Sequence, residues 1–204
     1  MRRLVVLAAL LVIGSIGNAQ AATITFDDLA PDGAGSPGER DSGGFAFLPA
    51  THSHVISTPD PGDAFNGTQY LALDDAFGLD PVTFSPLGGG AFALLAFDIG
   101  EWSNSGPGGF FAHQIQVLGT VVGGGTLSTT LTVDGRKPAF ETFNFNGWTN
   151  LSSVTLQGIR GDGPSNSFGL DNVVVARAVP EPGTLSLLGL GVASLIGRRR
   201  RNRR

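Results

Sequence analysis

Carboxylates are the commonest ionisable groups of this 204-residue sequence, and two of them, Asp27 and Asp28, are adjacent. Adjacent carboxylates repel each other unless a cation or water separates them, and Ca²⁺ takes about six to eight oxygen ligands. If the chain brings its first and last strands together, Asp171 joins this pair and the three carboxylates predict a structural calcium site. The alternative is that Asp27 and Asp28 form a turn and that Asp171 begins a β-bulge.

Three histidines are a second candidate group. His52 and His54 flank Ser53, so on a strand their imidazoles point to the same face. Together with His113 they would supply three nitrogen ligands for a transition metal. The alternative is that they are partly exposed loop residues.

Two tryptophans are candidates for binding sugars. Trp102 lies in GEWSNSGPGGFF and Trp148 lies in NFNGWTN, both beside turn-forming residues. Indole rings on loops are suited to stack on pyranose rings. Tryptophan is also a common core residue, which is the alternative interpretation for both.

Motifs of known catalytic sites are absent from the sequence. It contains no Gly-x-Ser-x-Gly, no His-Glu-x-x-His and no phosphate-binding loop. It has no cysteine, which excludes a thiol nucleophile, disulfides and cysteine-based zinc sites. Glycoside hydrolysis needs two carboxylates about 5–10 Å apart, and no such pair can be selected from the sequence. We therefore expect a protein that is not an enzyme.

The charge of the middle of the chain limits the partners. Residues 22–179 hold five basic and sixteen acidic residues, a net charge of −11. Such a domain repels the phosphates of nucleic acids, so we expect no nucleic-acid partner.

The N-terminus has the pattern of a signal peptide. Arg2 and Arg3 precede an apolar run from Leu4 to Ile16, and Ala19-x-Ala21 follows. A positive start, an apolar segment of this length and small residues at the cleavage position are typical of secretory signals. We predict a signal peptide over residues 1–21 that is cleaved after Ala21; the alternative is a buried helix.

The middle of the chain has the pattern of an all-β domain. Short runs of alternating or β-branched residues recur between turn residues, and no stretch there has sustained helical periodicity. About ten short strands with glycine-rich turns predict a β-sandwich, most simply a jelly roll, over residues 22–178.

The C-terminus, residues 179–204, consists of three parts. Pro180-Glu181-Pro182 cannot be helical throughout, because each proline forces the preceding residue into extended geometry. An apolar run from Leu185 to Ile196 follows; as a helix it spans only about 18 Å, less than a bilayer core of about 30 Å. The tail after Gly197 holds six arginines, which keep their end of a short transmembrane helix on the cytoplasmic side.

This ending resembles the PEP-CTERM sorting signal of Gram-negative bacteria, in which the same three parts occur in the same order. The resemblance implies recognition by an exosortase, a transpeptidase-like enzyme of the inner membrane. It also implies export across that membrane, a transient membrane-anchored intermediate, and a final place at the cell surface or in the exopolysaccharide matrix of a biofilm.

The first and last strands of the middle domain carry a second resemblance. ITFDDL (Ile24–Leu29) and FGLDNVVV (Phe168–Val175) are similar to the opening and closing strands of carbohydrate-binding-module-like jelly rolls. That resemblance implies that the two terminal strands are neighbours, and that acidic residues there hold a structural Ca²⁺.

Three functions are compatible with these features. The first is a non-enzymatic protein of the cell surface or the exopolysaccharide matrix. The second is a carbohydrate-binding module for an extracellular polysaccharide, and the third is a polysaccharide hydrolase. The acidic β-domain and the sorting signal favour the first.

Overall fold

The computed structural model describes residues 19–32, 38–58, 63–74, 81–102, 111–133, 139–159 and 166–178. The chain divides into two compact units, residues 21–177 and the two chain ends. The first 18 residues of the predicted signal peptide and the whole predicted sorting signal, with Pro180, Glu181 and Pro182, lie outside the described residues. Among the residues described, no helix is long and apolar enough to cross a membrane.

The unit of residues 21–177 is built from strands, which confirms the predicted all-β class. Twelve strands occur in the described residues: β1 (Ala19–Ile24), β2 (Arg40–Ser42), β3 (Phe45–Pro49), β4 (His52–Ile56), β5 (Tyr70–Asp74), β6 (Val82–Pro86), β7 (Phe92–Gly100), β8 (Gln114–Val121), β9 (Thr126–Thr132), β10 (Phe140–Asn144), β11 (Leu151–Ile159) and β12 (Phe168–Ala178). The sequence patterns predicted all but β2 and β6. Both are short, and β6 ends in a proline.

The strands form a curled antiparallel sheet that folds into two layers. The first layer has the order β2-β3-β6-β11-β8-β9, and the second has β10-β7-β12-β5-β4, with β1 also beside β12. The pairing of Leu151 with Phe92 joins β11 to β7 and so connects the layers. Strands distant in sequence become neighbours in this way, as in the jelly-roll β-sandwich that we predicted.

Alternation along the strands decides which side chains reach the core between the layers. In β8, Ile115 and Val117 are buried while Gln114 and Gln116 are exposed. Strands β3, β6 and β11 alternate in the same way. Successive side chains on a strand point to opposite faces, so each layer has one apolar face and one outward face.

The first and last strands are neighbours, as the resemblance to carbohydrate-binding modules implied, because β1 pairs with β12. Strand β1 begins at Ala19, earlier than the sequence pattern indicated, and so it includes the predicted cleavage position Ala21. Cleavage there would leave Ala22–Ile24 of β1 in the mature chain.

Position 158 of β11, a glycine, has no room for a side chain. A Cβ atom at this position would lie 2.0 Å from the backbone oxygen of Asn166. Backbone cannot move aside as a flexible side chain can, so we expect Gly158→Ala to lower the free energy of unfolding by about 3 kcal/mol or more. Urea unfolding measures this change. Ser153→Ala on the same strand is the control, and an equal small effect of both variants would contradict the prediction.

Candidate functional site

A buried carboxylate lies in the second layer, at the position where β12 is paired with β7. The side chain of Asp171 is completely buried, and the residue is directly opposite Asp98. Its Oδ2 atom accepts hydrogen bonds from Asn66 Nδ2 at 2.7 Å and from Thr68 Oγ1 at 2.9 Å. Its Oδ1 atom accepts from the backbone N–H of Asn172 at 2.7 Å. The loop that precedes β5 therefore supplies the polar partners of this carboxylate.

Asp98 extends the polar cluster towards β10. Its Oδ2 atom accepts from Asn172 Nδ2 at 2.8 Å, and its Oδ1 atom accepts from Thr142 Oγ1 at 2.6 Å. Asn172 has a φ of +48°, and the register of β12 against β7 shifts directly after Asp171. Asp171 thus stands at the start of a bulge, as the alternative interpretation predicted.

Asp27 and Asp28 occupy the centre of a tight turn after β1. The N–H of Leu29 donates to the carbonyl oxygen of Phe26 at 3.1 Å, and Phe26 has a φ of +59°. Asp28 accepts from the Ser42 hydroxyl and the Gly43 N–H. Asp27 and Asp28 therefore form a turn, which was the alternative interpretation for this pair.

The carboxylates of the predicted calcium site accept hydrogen bonds from separate protein donors. Asp27 Oδ1 accepts from the backbone N–H of Gln69 at 3.1 Å, in the same loop that supplies Asn66 and Thr68 to Asp171. The described part of the chain holds no group of three or more acidic or histidine side chains arranged for a metal. Calcium binding by Asp27, Asp28 and Asp171 stays a prediction.

Burial raises the pKa of the Asp171 carboxyl above its ordinary value of 3.8. The main cause is desolvation, which penalises the charged form. The hydrogen bonds from Asn66, Asn172 and Thr68 oppose this shift, and the negative charge of Asp98 adds to it. Ionisation of the Asp171 carboxyl is therefore linked to folding.

The two tryptophans proposed as stacking platforms are buried, which corrects that interpretation. Trp102 is only 4% exposed, with its ring centroid 5.3 Å from that of His54, and it packs with Tyr70. Trp148 is 9% exposed, and its ring lies edge-on to Phe145 at 5.1 Å. Neither therefore presents an open ring face to a sugar. Turn residues beside a tryptophan do not prevent its side chain from packing in a core.

The histidines are divided between the layers. His52 and His54 share a face of β4, as the spacing predicted, but His52 is exposed and His54 is buried beside Trp102. His113 directly precedes β8 of the first layer. The three imidazoles do not form a metal-binding group within the described residues.

The outward face of the first layer carries no sequence motif and is not among the predicted sites. Strands β3, β6, β11, β8 and β9 contain no Asp, Glu, Lys, Arg or His. Their outward side chains are mainly hydroxyls and amides, and we call this surface the polar face. Its members include Thr83, Ser85, Gln114, Gln116, Thr120, Ser128, Thr130, Ser153, Thr155 and Gln157.

Strand register aligns these side chains in rows across the polar face. One row runs through Leu48, Thr83, Thr155, Leu118 and Ser128, on five adjacent strands. Five strands at a spacing of about 4.8 Å span about 19 Å. The Thr83 and Thr155 hydroxyls lie 2.8 Å apart, and Leu48 and Leu118 are exposed. The long stretches without charge between Pro81 and Phe97 and between Gln114 and Val133 were the sequence signal for this face.

Stability should depend on pH through Asp171. Its pKa is higher in the folded state than in the unfolded chain, so the folded state binds more protons between the two values. Stability from this group is present below about pH 3.8 and is lost as the pH rises through the raised pKa. We expect Asp171→Asn to remove this loss. The melting temperature of the variant, relative to that of the wild type, should therefore rise as the pH rises.

Melting curves between pH 3 and pH 8 measure this effect. Asp98→Asn is the companion variant: it removes the neighbouring negative charge, so it should lower the Asp171 pKa and reduce the slope partly. Parallel melting profiles for wild type and Asp171→Asn would contradict the prediction.

Comparison with solved structures finds carbohydrate-binding modules and an agarase among the matches. A family 29 carbohydrate-binding module is 11% identical, with 82% of this chain and 98% of that chain covered and a TM-score of 0.40. A family 32 module from Clostridium perfringens is 15% identical, with 47% and 67% covered and a TM-score of 0.34. An exo-β-agarase is 12% identical, with 79% and 26% covered and a TM-score of 0.45. Similarity at this level gives no information about a ligand or an activity.

The C-terminus gives the specific match. No curated protein matches the sequence. The family model described as the PEP-CTERM protein-sorting motif matches residues 178–201. This match confirms the resemblance seen in Pro180-Glu181-Pro182, the apolar run and the arginines, and the chain therefore carries a PEP-CTERM sorting motif directly after its β-sandwich.

Proposed function

We propose that this chain is an exported, non-enzymatic protein of the cell surface or the exopolysaccharide matrix, processed by an exosortase at its C-terminal motif. The match of residues 178–201 to the sorting motif is the observation that carries the proposal. The compact β unit ends at Arg177 and the last strand ends at Ala178. A cut near residues 179–183 therefore removes the apolar run and the arginines without shortening β12.

The absence of catalytic motifs and the hydrogen bonds of Asp98 and Asp171 support a non-enzymatic role. Asp98 and Asp171, which are opposite each other, accept hydrogen bonds from four neighbouring residues. Carboxylates engaged in this way tie the bulge, the loop and β10 together. Their arrangement fits a structural role in the second layer.

Intact mass of the protein recovered outside the cell tests the processing. We expect a form that begins at Ala22 and ends between Val179 and Gly183. Replacing Pro180, Glu181 and Pro182 together by alanine should leave the tail attached, because the extended strip that the enzyme reads is lost. Thr184→Ala, just beyond the strip, is the control. An unchanged mass and location for the triple variant would refute exosortase processing at this motif.

A second candidate function is binding of a neutral polysaccharide, and the polar face is the observation that favours it. Hydroxyl and amide groups both donate and accept hydrogen bonds, as sugar hydroxyls do. Leu48 and Leu118 add small apolar patches for the C–H faces of sugar rings. The net charge of −11 over residues 22–179 disfavours anionic polymers, so a neutral polymer is the ligand that this surface fits.

Affinity electrophoresis in gels with a neutral or an anionic polysaccharide tests this binding. We expect the protein to be retarded by a neutral polymer and not by the anionic one. The double variant Gln116→Ala and Gln157→Ala removes two paired amides at the centre of the face. It should weaken binding by about 2 kcal/mol, roughly 30-fold.

The exposed Asn144 of β10 provides the matched control, since Asn144→Ala removes an amide from the other layer. Equal mobility of the wild type in gels with and without the neutral polymer would exclude this function. That result would leave the export proposal intact, because processing is measured separately.

A further inference from the structure

Strand β9 is an edge of the first layer. Within the residues that the structure describes, β9 pairs only with β8. Its side chains alternate between exposed and half-buried along the whole strand. An edge strand presents unpaired backbone N–H and C=O groups, which are a template for another strand.

The backbone groups that face outward from β9 follow from its register. At one end of the hairpin the Val121 N–H donates to Gly125, and at the other the Val133 N–H donates to His113. Antiparallel pairs alternate between hydrogen-bonded and non-hydrogen-bonded positions, and the register between these ends is continuous. Odd-numbered residues of β9 therefore bond to β8. The even-numbered residues direct N–H and C=O outward: Thr126, Ser128, Thr130 and Thr132.

The sequence of β9 is close to a palindrome. Thr-Leu-Ser-Thr-Thr-Leu-Thr reads almost the same in both directions about Thr129. If two copies pair antiparallel about this residue, Thr126 is opposite Thr132 and Ser128 is opposite Thr130. In this register each outward-directed residue meets an outward-directed residue, so the backbone groups of both edges are satisfied. Leu127 meets Leu131 on the inner face.

No charge on the strand itself or on its neighbour opposes this pairing. β9 has no ionisable residue, and neither has its neighbour β8. Two other edges differ, because β2 carries Arg40 and Asp41 and β10 carries Glu141. Charges on edge strands discourage pairing with another chain, and β9 lacks this protection.

Leu127 and Leu131 supply the apolar part of the contact. Both are partly buried and pack against the main core. Opposite each other across two copies, they would continue the core from one protein into the next. Cross-strand apolar and threonine pairs each stabilise a sheet by about 0.2–1 kcal/mol.

We propose that β9 is a self-association edge: two copies of this chain pair antiparallel about Thr129 and form a two-fold symmetric dimer with one continuous sheet. The partner is a second copy because the strand is complementary to itself in side chains, backbone register and charge. The same surface serves both copies, which is the requirement for a closed two-fold interface.

Cysteine cross-linking tests the register directly, because the natural chain has no cysteine. Across the two-fold axis Thr129 meets its own copy in a non-hydrogen-bonded pair, with Cα atoms about 4.5 Å apart, within disulfide range. We expect Thr129→Cys in the exported protein to form a disulfide dimer under mild oxidation. Thr126→Cys is the matched control, since its own copy lies six residues along the strand. Equal cross-linking by both variants overturns the proposed register.

Sedimentation velocity over a range of concentrations tests the dimer itself. Ser128→Lys with Thr130→Lys places like charges opposite each other, so the dissociation constant should rise at least tenfold. Gln114→Lys with Gln116→Lys adds the same charges to interior strand β8 and should leave the dimer unchanged. A mixture of the lysine variant with Ser128→Asp, Thr130→Asp should restore it. A wild type that stays monomeric at the highest concentration, or equal weakening by the β8 variant, overturns the proposal.

Discussion

The contact of aromatic rings between the layers is the interaction on which the rest of the fold depends. Phe45 of β3 packs edge-on against Phe92 of β7 with ring centroids 5.1 Å apart, and Phe84 of β6 contacts both. Because the chain has no cysteine, no disulfide replaces this contact. The main core contains side chains of both layers, and its burial supplies the favourable free energy. Substitutions in the loops and on the outward faces are compatible with the fold only if the packing of this core is preserved.

The core also determines where polar groups can go. Most residues that point inward from β3, β6, β11 and β8 are apolar, so the hydroxyl and amide side chains of these strands appear on the opposite side and make one broad face. In the second layer the outward face is partly covered: Tyr70, Trp102 and Phe140 pack there, and a Cβ on Gly100 would collide with Phe140 and Ala64. One layer therefore keeps an open, uncharged surface, and the other is closed by aromatic rings and the hydrogen bonds of Asp98 and Asp171.

Sequence patterns predicted much of this arrangement, for physical reasons that also explain their failures. Alternation identifies a strand well in β8, where Gln114 to Val117 change side at every residue. It identified the edges of β1 poorly, because Ala19–Ala22 have neither large apolar nor charged side chains. Strand β2 has only three residues, too few for a period to be seen.

Positions of side chains in space were harder to predict. Trp102 lies after a strand and before a glycine-rich segment, and such surroundings do not tell whether the ring turns outward or onto Tyr70. Asp171 depends on Asn66 and Thr68, which are more than a hundred residues away in sequence. Local patterns contain no information about such partners. The polar face is different, since the lack of charged residues over whole strands is visible in the sequence. Its signal is the absence of a residue type rather than the presence of a motif.

An uncharged face and an uncharged edge would normally make a protein prone to aggregation. Here the acidic residues are concentrated outside the five strands of the polar face, so the domain keeps a net charge of −11 while one side remains neutral. Repulsion between such domains acts over about 10 Å at ordinary ionic strength, which opposes stacking of many copies. Pairing through β9 uses each edge once and closes at two copies. It would also join two polar faces into one sheet of twice the width, so that one polymer chain could contact both copies without any change within either domain.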